Sequence, residues 1–409
     1  MKIVINAVSA KMGGSVSYIT NLLRHLSATE GGVQFIVFLP PETAAKLEGV
    51  AENIEVLPTE IGHAGTLKRM GWEQITLRRF LKKQRADVLF STANFGMFRC
   101  PVRQILLVRN ALYFSRNYRE MFLPRHSLRY RINFGLRRWL ICRSVRAADV
   151  VMTPTRAMLN ELRCFVDVDA WKALVNPYGV TPPESIPAMT QSELDATTRG
   201  PCESLRLLYV SFYAEHKNLT TLLQALPLLN GNGQRICFLR STASPFWKEA
   251  NSTVTYTEDR AMALRPEVKR HTQLFEPLDK QRTQSFYLDS DIFVFPSLVE
   301  SFGFPMVEAM SFGIPIVAAD IPVNREICGD AALYFSPLRA EGLAEKVRNL
   351  AADSNLRASL GFKGRRRAFT HFSWNDHVRL LIEKARFLVT EDRSPAPASP
   401  LRKRQVRSL

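Results

Sequence analysis

No apolar run in this 409-residue chain approaches the roughly 18 residues that a membrane-crossing helix needs. The N-terminus runs straight into a strand pattern at Lys2, without the charged and apolar blocks of an export signal. A cytoplasmic chain is therefore expected, at most peripheral on the inner face of the membrane. Cysteine is scarce: Cys100, Cys142, Cys164, Cys202, Cys237 and Cys328 are scattered. That pattern argues against a disulfide framework or a paired-cysteine zinc site and favours reduced packing thiols. The seven histidines show no ligand spacing, so no metal and no other cofactor is expected.

Acidic residues are outnumbered, 38 against 55 basic ones, for a net charge of +17. From Arg103 to Arg146 there are eleven arginines and one acid, Glu120. Lys68, Arg69, Arg78, Arg79, Lys82, Lys83 and Arg85 extend the excess and interleave with Trp72, Leu77, Phe80 and Leu81. Such a helix suits an anionic membrane surface, with a solvated helix face as the plainer alternative. No nucleic-acid-binding motif accompanies the charge, so nucleic acid is not an expected partner.

The length exceeds one ordinary core, and 46% apolar content is ample for two. Strand and helix patterns alternate without a short repeat, which predicts doubly wound α/β domains. Thr181 to Gly200, rich in Pro, Ser, Thr and Ala, reads as the hinge, and Leu205 to Val210 opens a second sheet. The expected division is 1–190, 201–373, a last helix at 374–392 and a disordered basic tail at 393–409.

The densest chemistry lies in Asp291 to Asp320, DIFVFPSLVESFGFPMVEAMSFGIPIVAAD. Ile292–Phe295 and Ile316–Ala319 are unbroken apolar runs of the kind found in covered parallel strands. Pro305 suits a first helical position, and Gly303 before it permits close backbone approach to a ligand. Glu300 then sits in the loop and Glu308 one turn into the helix, with the amides of Ser301, Phe302 and Gly303 between them. Carboxylates only accept hydrogen bonds and so suit sugar hydroxyls, while amides at a helix start suit phosphate. The plainer alternative is a surface helix with two solvated glutamates. Lys217 follows a strand and loop and precedes the helical pattern from Asn218 to Leu226. A cation there opposes the helix dipole, which favours an anionic ligand. Asp167-Val168-Asp169 and Asp289-Ser290-Asp291 read as acids flanking strands.

SFGFP between the glutamates and AMSFGIPIVAAD after them resemble glycosyltransferase family 4, the retaining nucleotide-sugar transferases of GT-B fold. Further stretches resemble the family in order: the strand from Lys2 with Gly13-Gly14, Ala148-Asp149-Val150-Val151 with Thr155, Asn176-Pro177-Tyr178-Gly179-Val180, Tyr209 to Asn218, and Arg325 to Ala332. The resemblance implies two Rossmann-like doubly wound domains facing a central cleft, with the last helix, Trp374 to Val389, crossing back to the first domain. It implies a metal-independent hexosyl- or deoxyhexosyltransferase with a nucleotide-sugar donor and a glycan or lipid-linked acceptor, acting in cell-surface polysaccharide or lipopolysaccharide synthesis. Non-catalytic relatives and basic membrane- or RNA-binding proteins are the alternatives.

By the same resemblance, Glu300 and Lys217 act at the reaction centre. Glu308 binds the nucleotide ribose, Ser301, Phe302, Gly303 and Phe304 take the diphosphate, and Gly13 and Gly14 bring the first domain's loop to the donor. Arg109-Asn110, after the strand Ile105 to Val108, is the expected acceptor-facing pair, with ordinary polar residues at a strand end as the plainer alternative. One departure stands out. Phe212 occupies the position, five residues before Lys217, where many family members carry an arginine, leaving backbone amides and His216 as substitutes.

Overall fold

The computed structural model describes residues 1–11, 13–26, 32–47, 49–181, 204–230, 236–241, 254–275 and 280–390. The expected hinge beyond Thr181 and the expected basic tail lie outside the described residues.

Two parallel sheets form the frame. The first contains β1 (Lys2–Asn6), β2 (Gln34–Leu39), β3 (Ile54–Pro58), β4 (Val88–Ser91), β5 (Arg103–Leu107), β6 (Val150–Thr153) and β7 (Ala173–Val175), in the order β3-β2-β1-β4-β5-β6-β7. The second contains β8 (Ser204–Tyr209), β9 (Ile236–Ser241), β10 (Thr272–Leu274), β11 (Ile292–Phe295), β12 (Ile316–Ala319) and β13 (Ala332–Phe335), in the order β10-β9-β8-β11-β12-β13. Every residue of β4, β6, β11 and β12 is buried, because helices cover both sheet faces and no strand side is left for water. Strand order reverses between β1 and β4 in one sheet and between β8 and β11 in the other. In such sheets the loops leaving the strands part at the reversal and open a crevice at their carboxyl ends. The loops carrying Gly13-Gly14, Phe212–Lys217 and Glu300–Gly303 all leave these strands.

The last helix, Trp374–Thr390, packs on the first domain. Its His377 is 1% exposed and ties three segments together. Nδ1 lies 2.9 Å from the Pro177 carbonyl and Nε2 3.0 Å from the Tyr18 hydroxyl, while the His377 carbonyl accepts from Asn176 Nδ2 at 3.0 Å. A carbonyl only accepts, so Nδ1 carries the proton and Nε2 accepts from Tyr18. Burial pushes the imidazole pKa down to about 4, which keeps the ring neutral. Gly179 permits the crossing: a Cβ there would stand 2.2 Å from the Trp374 amide nitrogen.

The basic helical segment Thr66–Lys83 does not offer the membrane-facing side read from its sequence. Leu77 and Leu81 are 1% and 0% exposed, and the rings of Trp72 and Phe80 meet Phe38 edge-on at 5.3 and 5.0 Å. Its apolar side fills the first domain's core. Among the described residues, no helix is long and apolar enough to cross a membrane.

Candidate functional site

A cavity of about 440 Å³ lies between the domains, and all the expected donor-side residues line it: Gly13, Gly14, Lys217, Glu300, Ser301–Phe304 and Glu308.

Each is set there by its own element. Lys217 ends a short turn, Glu215–Lys217, and Asn218 follows in the left-handed conformation at φ +56°, which asparagine tolerates better than most residues. Asn218 Nδ2 donates to the Pro296 carbonyl at 3.1 Å, and the Leu298 amide donates to the His216 carbonyl at 2.9 Å. These bonds join the loop after β8 to the loop after β11. Lys217 Nζ consequently lies 2.5 Å from Glu300 Oε1, an ion pair whose side chains are 24% and 9% exposed. The helix Phe304–Ser311 starts behind Gly303 at φ +86°, with Pro305 in its first turn. A Cβ at Gly303 would press on the Met306 side chain at 2.5 Å. Among the described residues, the amides of Ser301, Phe302 and Gly303 donate no hydrogen bond. Phe302 is buried, with its ring packed against those of Tyr178, Phe304 and Phe372.

Glu308 projects from that helix, and the Tyr287 hydroxyl donates to its Oε2 at 2.9 Å. Burial and the neighbouring carboxylate hold the Tyr287 pKa well above that of an ordinary phenol, so the hydroxyl remains a donor. Thr155 ties the facing wall. Its hydroxyl accepts from the Met158 amide at the start of Arg156–Arg163 and donates to the Ser301 carbonyl at 2.9 Å. Glu326, from the second domain, accepts from the first amides of that same first-domain helix, Arg156 and Ala157, both at 2.7 Å. A carboxylate capping a helix start is well placed against its dipole.

Phe212 is 53% exposed and lines the cavity, and a Cβ at Gly13 would stand 2.9 Å from its ring. The aromatic side chain thus meets the glycine loop of the opposite domain. His216 is not part of the cavity lining. Burial and the adjacent Lys217 push its pKa down to about 3, so it is neutral. Arg109 lines the cavity, with its guanidinium 5.5 Å from the centroid of the Tyr18 ring. With Lys217 it supplies the lysine and arginine side chains of the lining. Asn110 is not part of that lining. Its carboxamide oxygen instead accepts from the Leu112 amide at 3.1 Å and caps the turn Ala111–Tyr113.

Sequence reasoning passed over Tyr178 and Tyr287. Tyr178 lines the cavity and stacks on Phe304 at 5.2 Å, and its buried hydroxyl has no partner among the described residues. It falls within the quoted NPYGV stretch, which reads only as a turn. No pattern marks Tyr287, which reaches Glu308 from another helix. In the second acidic triplet, Asp289 and Asp291 both pair with Arg206.

Two family descriptions match the chain: "Glycosyltransferase Family 4" over residues 12–182 and "Glycosyl transferases group 1" over residues 199–367. The O-antigen chain mannosyltransferase B of Escherichia coli is 32% identical over 102 residues, covering 25% of this chain and 26% of that protein. The chain therefore spans about a quarter of the length of that curated relative. Among solved structures, sucrose-phosphate synthase from Thermosynechococcus elongatus matches with a TM-score of 0.72, over 95% of this chain and 98% of that one, at 16% identity. HepE from Anabaena, in complex with UDP-glucose, matches with a TM-score of 0.66 over 95% and 100%, also at 16% identity. At such identities the likeness is one of fold.

Proposed function

We propose that this chain, which belongs to glycosyltransferase family 4 and carries the GT-B fold, moves a hexose or deoxyhexose from a nucleotide-sugar donor to a glycan or lipid-linked acceptor in cell-surface polysaccharide or lipopolysaccharide synthesis. The observation that carries this reading is the convergence of Lys217, Glu300, Glu308, the 301–303 amides and the Gly13-Gly14 loop on one interdomain cavity. The relative named an O-antigen mannosyltransferase and the HepE complex with UDP-glucose point the same way.

In this reading Glu308, steadied by Tyr287, accepts from the ribose hydroxyls, and Glu300 accepts from the donor sugar. The diphosphate meets the 301–303 amides, Lys217 and Arg109. Breaking the bond between the sugar's anomeric carbon and the diphosphate leaves positive charge on the ring and negative charge on the leaving group. Amides and cations already oriented toward the leaving group lower that barrier without reorganising. The acceptor oxygen bonds to the anomeric carbon on the face the diphosphate leaves, and its proton passes to a leaving phosphate oxygen. The configuration is retained, and neither a protein nucleophile nor a metal is required.

A thermal-shift screen with UDP-, GDP-, ADP- and dTDP-sugars tests the proposal. One donor should stabilise the wild type, and Glu308→Ala should lose both that shift and donor hydrolysis. No shift with any of the four, or unchanged hydrolysis by the variant, would overturn it.

A further inference from the structure

The helix Leu128–Ala147 is apolar on two sides. Phe134, Leu140, Ile141 and Val145 are buried in the first domain, whereas Leu128, Ile132, Leu136 and Trp139 are 68%, 64%, 45% and 52% exposed. Successive spacings of four, four and three set the second group in one stripe along the helix. Single exposed apolar residues are ordinary on a protein surface, but a continuous row marks a contact face.

The charge on this helix identifies the partner. It carries six arginines and no acid. Arg129, Arg131, Arg143 and Arg146 are exposed, and the Arg143 guanidinium lies 5.6 Å from the Trp139 ring centroid. Such a surface calls for something both apolar and anionic. A two-fold contact with a second copy of the chain would place this arginine-rich helix against itself, which like-charge repulsion opposes.

The stripe also begins beside the cleft. His126, two residues before Leu128, lies 2.8 Å from Glu215 of the second domain, and Tyr118, bonded to Tyr130 at 3.0 Å, meets the His216 ring edge-on at 6.3 Å. Glu215 and His216 immediately precede Lys217.

We propose that this face rests on an anionic bilayer. Leu128, Ile132, Leu136 and Trp139 enter the headgroup region, and the flanking arginines pair with lipid phosphates. The cavity then opens at the bilayer surface, where a lipid-linked acceptor would present its reactive hydroxyl. That last consequence rests on the transferase reading; the bilayer contact does not.

Co-sedimentation of the full chain with phosphatidylcholine vesicles, with and without roughly a third phosphatidylglycerol, tests it. The wild type should pellet with the anionic vesicles and not with the neutral ones, and should be released by high salt. Ile132→Glu combined with Trp139→Glu should weaken that partitioning on the order of tenfold or more. Arg129→Glu combined with Arg131→Glu should weaken it as well, and both variants should keep the wild-type nucleotide-sugar thermal shift. The proposal falls if the wild type stays in solution with both vesicle types, or if neither variant differs from it. Binding to RNA in place of vesicles, or a dimer by light scattering that the Ile132/Trp139 variant dissolves, would also overturn it. The nucleotide-sugar shift is read separately, so failure of the membrane contact is distinguishable from failure of the transferase reading.

Discussion

Tyr287 and Glu308 lie on different helices, and the phenol donates to the carboxylate at 2.9 Å. Tyr287 is 2% exposed and its ring stacks on Phe312 at 5.2 Å, so the hydroxyl is held in place by packing. Tyr287→Phe removes one bond to a charged acceptor and keeps the ring. The expected loss is about 1–2 kcal/mol, roughly five- to thirtyfold in kcat/KM, carried mainly by the donor KM. Steady-state kinetics at varied donor concentration would show it. A fall in kcat alone would mean that Tyr287 does not act through donor binding.

Arg109 and Phe212 make a second, paired prediction. If Arg109 supplies the positive charge that Phe212 lacks, Arg109→Ala should raise the donor KM about tenfold, and Phe212→Arg in that background should restore most of it. The sequence-based expectation set Arg109 against the acceptor. A rise in the acceptor KM alone, with donor binding unchanged, would support that earlier placement.

Gly179→Ala should destabilise the folded chain by about 3 kcal/mol, because the added methyl meets the backbone of Trp374 and not the end of a flexible side chain. Urea unfolding would measure it. A midpoint equal to that of the wild type would show that the closing turn and the last helix can separate at no cost.

His377 predicts a pH dependence of stability. Its folded pKa is about 4, below the ordinary value of 6.5. Above pH 6.5 the ring is neutral in both states and its contribution is complete. Between 6.5 and 4 the unfolded chain takes up a proton that the folded one refuses, so stability falls as the pH is lowered, by up to about 3 kcal/mol. Melting temperatures of the wild type and His377→Gln across this range should converge as the pH drops. Parallel curves would show that the ring titrates normally in the fold.

The sequence made the frame and the second-domain half of the site legible for physical reasons. Ile292–Phe295 and Ile316–Ala319 are unbroken apolar runs because both sheet faces are covered, and Gly303-Phe304-Pro305 announces a helix start through its backbone constraints. Legibility stopped where a side chain's direction depends on a distant packing partner. Trp72, Leu77, Phe80 and Leu81 form an amphipathic pattern whether they face lipid or Phe38. The helix Leu128–Ala147 was obscure for the opposite reason: apolar residues on two sides cancel the periodicity that would have revealed the open stripe. The cap that Asn110 makes was not legible, because a polar residue at a strand end can cap a turn as readily as bind a ligand.

The crossing of Trp374–Thr390 onto the helix Gly14–Leu26 means that chain order and folding unit do not coincide. A recombinant fragment ending near Thr181 would expose the patch around Tyr18 that His377 and its neighbours cover, and would invite aggregation. Swapping acceptor specificity between relatives therefore calls for grafting the C-terminal helix together with the N-terminal half, as one piece drawn from both ends of the polypeptide.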